Sequence, residues 1–142
     1  METLPVCGIA GQFETRLLRA PDRAVLNRMA LAIQHRGPDD QGMACGDHWG
    51  LVSRRLAIIG VETGHQPLSN EDGTVWVAFN GEIYNHKELR ARLRRTHHVF
   101  ASATDTEVLV HLYEEYGDSL VEHLVGMFAF ALVDVSKRRL LL

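Results

Sequence analysis

Apolar residues recur along this chain in two rhythms, and the rhythm changes mark its elements. Residues 7–13 (CGIAGQF) form a short run of small and apolar side chains that predicts a buried strand. Gly8 and Gly11 within it allow close backbone approach. In PDRAVLNRMALAIQ (21–34), Val25, Met29, Ala32 and Ile33 share one face at helical spacing, behind a proline of the kind tolerated in a first helical turn. The stretch WGLVSRRLAII (49–59) reads as extended, interrupted by Ser53, Arg54 and Arg55. Residues 74–79 (TVWVAF) are β-prone and end at Asn80-Gly81. A helix is predicted over 86–95, with Asn85 as its cap and Glu88 three residues on. Residues 99–101 suit a short strand. Thr104-Asp105 cap a helix running to Tyr116, which Gly117 stops, and 118–124 adds one or two helical turns. MFAFALVD (127–134) predicts a strand by its aromatics, Ser136-Lys137 a turn, and 139–142 a last apolar strand. Loops are expected at 35–42 and 61–73, which are rich in Gly, Pro, Asn and Asp. Strands and helices mix without regular βαβ alternation, so the class expected is α+β.

Composition narrows the function. The 142 residues suffice for one domain with a real core. Lys and Arg number 15 against 18 Asp and Glu, a net −3 that leaves no basic excess for nucleic acid. The densest basic cluster, Arg90, Arg92, Arg94 and Arg95, spreads around a helix and predicts a solvated face. Two cysteines, Cys7 and Cys45, do not make a disulfide framework, so a reducing, cytoplasmic setting is expected. The N-terminus carries Glu2 and Pro5 and lacks the apolar core of a secretory signal. No run approaches the roughly 20 apolar residues of a membrane helix. The eight histidines show no HExxH and no CxxC companions, so no metal site is read from them.

Taken singly, the polar residues inside these elements have ordinary explanations. Cys7 suits a small buried hydrophobe, Asn80-Gly81 a type I′ turn, Arg55 an edge arginine reaching water, and Glu82 and Asp105 surface or capping carboxylates. Together they form a chemical set. A thiol can attack a carboxamide carbon. An asparagine side-chain N–H and a glycine backbone N–H can hold the resulting oxyanion, each worth roughly 2.7–4 kcal/mol. An arginine fork suits an α-carboxylate, and carboxylates suit an α-ammonium. That is the inventory for hydrolysing glutamine.

The same residues lie in an ordered series of motifs: CGIAG at 7–11, HRGPDDQG at 35–42, RRLAII at 54–59, GHQPL at 64–68, FNGEIYN at 79–85, TDTE at 104–107 and GMFAFALVD at 126–134. In this order they resemble the glutaminase domain of the asparagine synthetase B type, a class II glutamine amidotransferase. That resemblance implies a four-layer αββα sandwich of the N-terminal-nucleophile hydrolase type, incomplete at its C-terminus. It implies Cys7 as nucleophile, with Asn80 and Gly81 as the oxyanion hole. Arg55 would grip the α-carboxylate of L-glutamine, main chain of Leu56, Ala57, Ile58 and Ile59 would line the pocket, and Glu82 and Asp105 would receive the α-ammonium. Residues 35–39 would pack near the thiol in support. Relatives usually carry Asp after LAII, where this chain has Gly60.

The resemblance also bears on both ends. In that family the cysteine is the first residue of the mature chain, because its α-amine, with a pKa of about 7.7–8.0, acts as the base. Residues 1–6 would block it. Val6 directly before Cys7 fits a GTG start codon, and a short self-removed propeptide is the alternative. Relatives continue into a synthetase domain that uses ATP and Mg²⁺; no SGGxDS-type loop occurs here, so residues 7–142 are expected to be a partial glutaminase domain needing no cofactor itself. The open sheet edge this implies predicts poor solubility, or pairing with a synthetase domain or a second copy. Two other readings stand beside the enzyme: an interaction module that keeps the motifs without the chemistry, and a glutaminase serving a different carboxylate acceptor.

Overall fold

The computed structural model describes residues 7–16, 19–56 and 64–142. Strands β1 (Gly8–Phe13), β2 (Asp40–Cys45) and β3 (Trp49–Arg55) form one antiparallel sheet in the order β1-β3-β2. A second antiparallel sheet has the order β4-β5-β6-β7, from β4 (Leu68–Ser69), β5 (Val75–Ile83), β6 (Gly126–Asp134) and β7 (Arg139–Leu141). Helix α1 (Arg23–Ala32) covers the first sheet; α2 (His86–Arg94), α3 (Glu107–Tyr116) and a 3₁₀ segment, Gly117–His123, cover the second.

Side chains alternate across a strand, and this sorts the core into three layers. Val75, Val77, Phe79 and Ile83 of β5, with Phe130 and Leu132 of β6, pack against Leu89, Leu93, Leu109, Leu112 and Leu120. Burying each such leucine contributes roughly 1.5–3 kcal/mol, so this helical layer is the main anchor. Ala78, Ala131 and Val133 turn the other way and meet Trp49 and Leu51 of the first sheet. Leu26 and Ala30 of α1 pack on Val52. The result is the expected α+β arrangement: helix, sheet, sheet, helix.

Several local expectations fail for identifiable reasons. The buried stripe of α1 centres on Leu26 and Ala30; Val25, Met29 and Ile33 flank it, and Ala32 is exposed. Strand β2 begins inside the predicted loop, because Asp40, Gln41 and Gly42 pair with Arg55, Arg54 and Ser53. Strand β4 likewise interrupts the loop expected over 61–73. No strand forms at 99–101: the Val99 N–H donates to Glu71 Oε1 and the Ala101 N–H to Glu107 Oε1. Asn80-Gly81 is no hairpin turn; β5 runs straight through it in register with Ala129 and Phe128. Asn85 is the N-cap residue of α2 as expected, but its side chain makes no cap hydrogen bond, because its amide bridges the His123 carbonyl and the Val125 N–H. Arg90 is not a solvated helix charge: it stacks 4.2 Å over the Phe100 ring and donates to the carbonyls of Ser102 and Thr104. Among the described residues no helix is long and apolar enough to cross a membrane.

Candidate active site

The two sheets part at one end, where β1 starts, β3 ends and β5 runs toward α2. By the two-residue period, Cys7 and Arg55 continue the inward faces of β1 and β3, while Asn80 and Glu82 continue the inward face of β5. These faces open into a cleft of about 610 Å³ lined by Cys7, Arg55, Leu56, Gln66, Phe79, Asn80, Gly81, Glu82 and Asp105, among others. So seven residues expected from the sequence share one cavity. The other three, Ala57, Ile58 and Ile59, lie outside the described residues, as does Gly60.

Cys7 is a free, half-buried thiol. Its carbonyl accepts from Arg36 Nε at 3.3 Å, and Arg54 Nε donates to the Gly37 carbonyl at 2.9 Å. The Asp39 N–H donates to the Arg55 carbonyl. The 35–39 loop is thereby fastened to β3 and to the residue bearing the thiol, as expected. Arg55 is buried, 8% exposed, at the end of β3. Its guanidinium lies flat against Gly64, where a Cβ would sit 2.5–2.7 Å from it.

The outer edge of β5 shows how the opposite wall is built. The Tyr84 N–H donates to the Val125 carbonyl of the strand partner, so odd-numbered residues of β5 turn their N–H groups away from β6. Side-chain oxygens meet these groups: Asn70 Oδ1 that of Val75, Gln66 Oε1 that of Phe79, and Asp105 Oδ2 that of Ile83. The Gly81 N–H points the same way, and no side chain among the described residues caps it. Gly81 has φ 144°, and a Cβ there would lie 2.1 Å from the Met127 carbonyl oxygen, so only glycine fits.

Asp105 therefore uses one carboxylate oxygen, Oδ2, to close the sheet edge, and the residue also lines the cleft. Glu82 is exposed at the rim. The cation Arg55 stands on the first sheet's wall and both carboxylates on the second's. That polarity matches a zwitterion.

Two further residues, to which the sequence assigns no part in the site, support it. Gln66, 7% exposed, accepts from Phe79 and donates to Thr106 Oγ1 at 3.2 Å, bracing β5 against the start of α3. Its signal in the sequence is the GHQPL motif at 64–68. Arg90 holds the 102–104 turn that carries Asp105. Burial draws its pKa down from the ordinary arginine value, yet a guanidinium stays charged.

Comparison with known proteins agrees with this geometry. The glutamine amidotransferase domain family matches residues 6–142. A glutamine-hydrolyzing asparagine synthetase of Zea mays is 45% identical over 91% of this chain and 22% of its own length. Asparagine synthetase [glutamine-hydrolyzing] 2 of Bacillus subtilis is 42% identical over 96% of this chain and 18% of its own. The chain thus spans about a fifth of the curated relatives it matches. Among solved structures, the glutamine phosphoribosylpyrophosphate amidotransferase of B. subtilis complexed with ADP and GMP aligns with TM-score 0.65 at 23% identity, covering 92% of this chain and 35% of that one. That likeness shows the fold, a sandwich of two antiparallel sheets covered by helices.

Proposed function

Since this chain belongs to the family of glutamine amidotransferase domains, we propose that it hydrolyses L-glutamine to glutamate and ammonia through a γ-glutamyl thioester on Cys7. The observation that carries the reading is the shared cleft: thiol, arginine, Asn-Gly pair and two carboxylates line one cavity. Arg55 takes the α-carboxylate as a charge-assisted fork. Glu82 and the remaining oxygen of Asp105 take the α-ammonium. The Sγ attacks the side-chain amide carbon while its proton passes to the α-amine of Cys7, released from residues 1–6. The developing oxyanion meets the Asn80 side-chain N–H and the uncapped Gly81 N–H. Collapse breaks the C–N bond, the proton moves from the amine to the leaving nitrogen, and ammonia departs. Water then attacks the thioester carbon, freeing glutamate and restoring the thiol.

We assign residues 7–142 to a glutaminase unit working with a synthetase domain or a second chain in the cytoplasm, as the light cysteine usage suggests. ATP and Mg²⁺ belong to the amidation of the acceptor, for which the relatives' names suggest aspartate. The test uses protein whose N-terminus is confirmed by intact mass as Cys7. Thiol-dependent release of glutamate is expected, abolished by Cys7→Ala and reduced about 10²–10³-fold in kcat by Asn80→Ala. A correctly matured, folded sample that releases none overturns the enzyme and leaves an interaction module.

A further inference from the structure

Outside the cleft lining, four side chains from three segments converge along α3. Glu71 comes from the turn before β5, His98 from the stretch after α2, and His111 and Glu114 from adjacent turns of α3. One ligand atom from each lies within 4.8 Å of all the others. We propose that these four residues form a closed structural site for a divalent transition-metal ion, with zinc the ion that fits.

Geometry is the first argument. Zinc bonds of about 2.0–2.2 Å to nitrogen and oxygen put tetrahedral ligand atoms roughly 3.3–3.6 Å apart. Glu114 Oε2 lies 3.2 Å from His111 Nδ1 and 3.5 Å from His98 Nδ1. Glu71 offers Oε2 at 3.6 Å from His111 Nδ1 and Oε1 at 3.8 Å from His98 Nδ1. These separations straddle the tetrahedral edge.

Hydrogen bonding is the second. His98 Nε2 sits 2.9 Å from Glu115 Oε1, the geometry of an N–H donating to a carboxylate. Its Nδ1 faces carboxylate oxygens of Glu114 and Glu71 at 3.5 and 3.8 Å, a setting that calls for positive charge there, either a proton on the ring or a metal ion between them. A carboxylate–histidine–metal relay has this arrangement. The carboxylates are pinned as well: Glu114 Oε1 accepts from Asn70 Nδ2 and Glu71 Oε1 from the Val99 N–H, both at 2.8 Å. His111 is 1% exposed, and its Nε2 has no hydrogen-bond partner, only Glu107 Oε1 at 3.9 Å.

Charge is the third. Among the described residues no Lys or Arg comes within 4.0 Å of Glu71, Glu114 or Glu115 to balance them. With four protein ligands the site leaves no open position, so its role is to fasten the Glu71 turn and the 98–100 stretch to α3. Local motif spacing, which gave no metal site, could not register a set drawn from 71, 98, 111 and 114.

The test titrates the chelator-stripped 142-residue protein with zinc ions in a calorimeter and repeats it with cobalt(II). One ion per chain is expected, and cobalt should give the intense visible bands of a tetrahedral nitrogen–oxygen site. Free zinc at about 100 times Kd should raise the melting temperature by roughly 5–15 °C. The isosteric changes Glu71→Gln and Glu114→Gln should each weaken uptake at least about 10-fold. Glu115→Gln should weaken it roughly 10–100-fold while keeping the tetrahedral spectrum, a readout independent of folding. No uptake overturns the proposal. So does uptake undiminished in the double Glu71→Gln, Glu114→Gln variant, or a thiolate charge-transfer band that moves the ion to Cys7 or Cys45.

Discussion

A methyl group at position 64 has no room that Arg55 does not already fill, since a Cβ there falls 2.5–2.7 Å from the guanidinium. The atoms it meets are the far end of a flexible side chain, so the fold can yield while the binding geometry cannot. Gly64→Ala should therefore raise KM for glutamine about 10- to 100-fold, the loss of charge-assisted hydrogen bonds worth about 1.5–3 kcal/mol. Its kcat should stay within a few-fold and its melting temperature within a few degrees; steady-state kinetics and a thermal melt check both. Gly81→Ala is the contrasting case. There the new Cβ meets β6 backbone, the Met127 oxygen at 2.1 Å and the Phe128 Cα at 2.6 Å, at a φ unsuited to side chains. Melting temperature and kcat should fall together. The sequence identified Gly81 and Arg55 as site residues, and placed Gly64 in the GHQPL motif without a role. That role is a contact with a side chain nine positions earlier, which the motif by itself does not record. Asn85 and Asp105 misled for the same reason: each has a capping residue's chemistry, but a tertiary N–H or carbonyl takes it first.

Elements were legible where their own residues supply the fold. Strands β5 and β6 carry aromatic and β-branched residues, and both form at the expected runs, although β5 continues past Asn80-Gly81 to Ile83. Strand β2 reads DQGMAC and has no such signal. Pairing with β3 holds it, together with the Arg54–Gln41 bond of 2.9 Å and a backbone approach at Gly42 that leaves no space for a Cβ. The end of β6 depends on polar ties of another kind. Asp134 accepts from Tyr113 Oη at 3.0 Å, Ser136 Oγ at 2.7 Å and the Lys137 N–H at 2.8 Å. Burial pushes this carboxyl's pKa up, but the hydrogen bonds outweigh it and hold the pKa below the ordinary aspartate value. The folded state thus favours the charged form, and the unfolded chain binds the proton more readily. Asp134 stabilises the fold fully above the unfolded value of about 3.9, and this is lost as pH falls through the lowered folded value. Asp134→Asn should cost about 1.5–3 kcal/mol at pH 7. That gap should narrow progressively below about pH 4, as measured by urea unfolding of both proteins across pH.

At the scale of the whole molecule, the site depends on the distance between two sheets. Cys7 and Arg55 ride on one and Asn80, Gly81 and Glu82 on the other, so chemistry in the cleft needs both sheets in one alignment. The sequence conveyed the α+β class and the motifs, but not this spacing, which comes from which small residues face each other across the gap. Ala78 and Ala131 are direct register partners, both buried on the face that meets Trp49 and Leu51. Their small side chains let the Trp49 indole approach; a larger one must push the sheets apart. Overpacking of this kind costs about 1–3 kcal/mol. Ala78→Leu should therefore lower the melting temperature and, well below it, still reduce kcat/KM by about 10-fold or more, because the thiol and the oxyanion donors separate. Val77→Ala supplies the control: it is the adjacent residue on the same strand, but it faces the helical layer and leaves a cavity there. With a similar loss of stability, it should keep kcat/KM within a few-fold at temperatures where both variants are folded. Equal activity loss in the two variants would mean that general loosening of the fold, not the spacing of the sheets, governs the site.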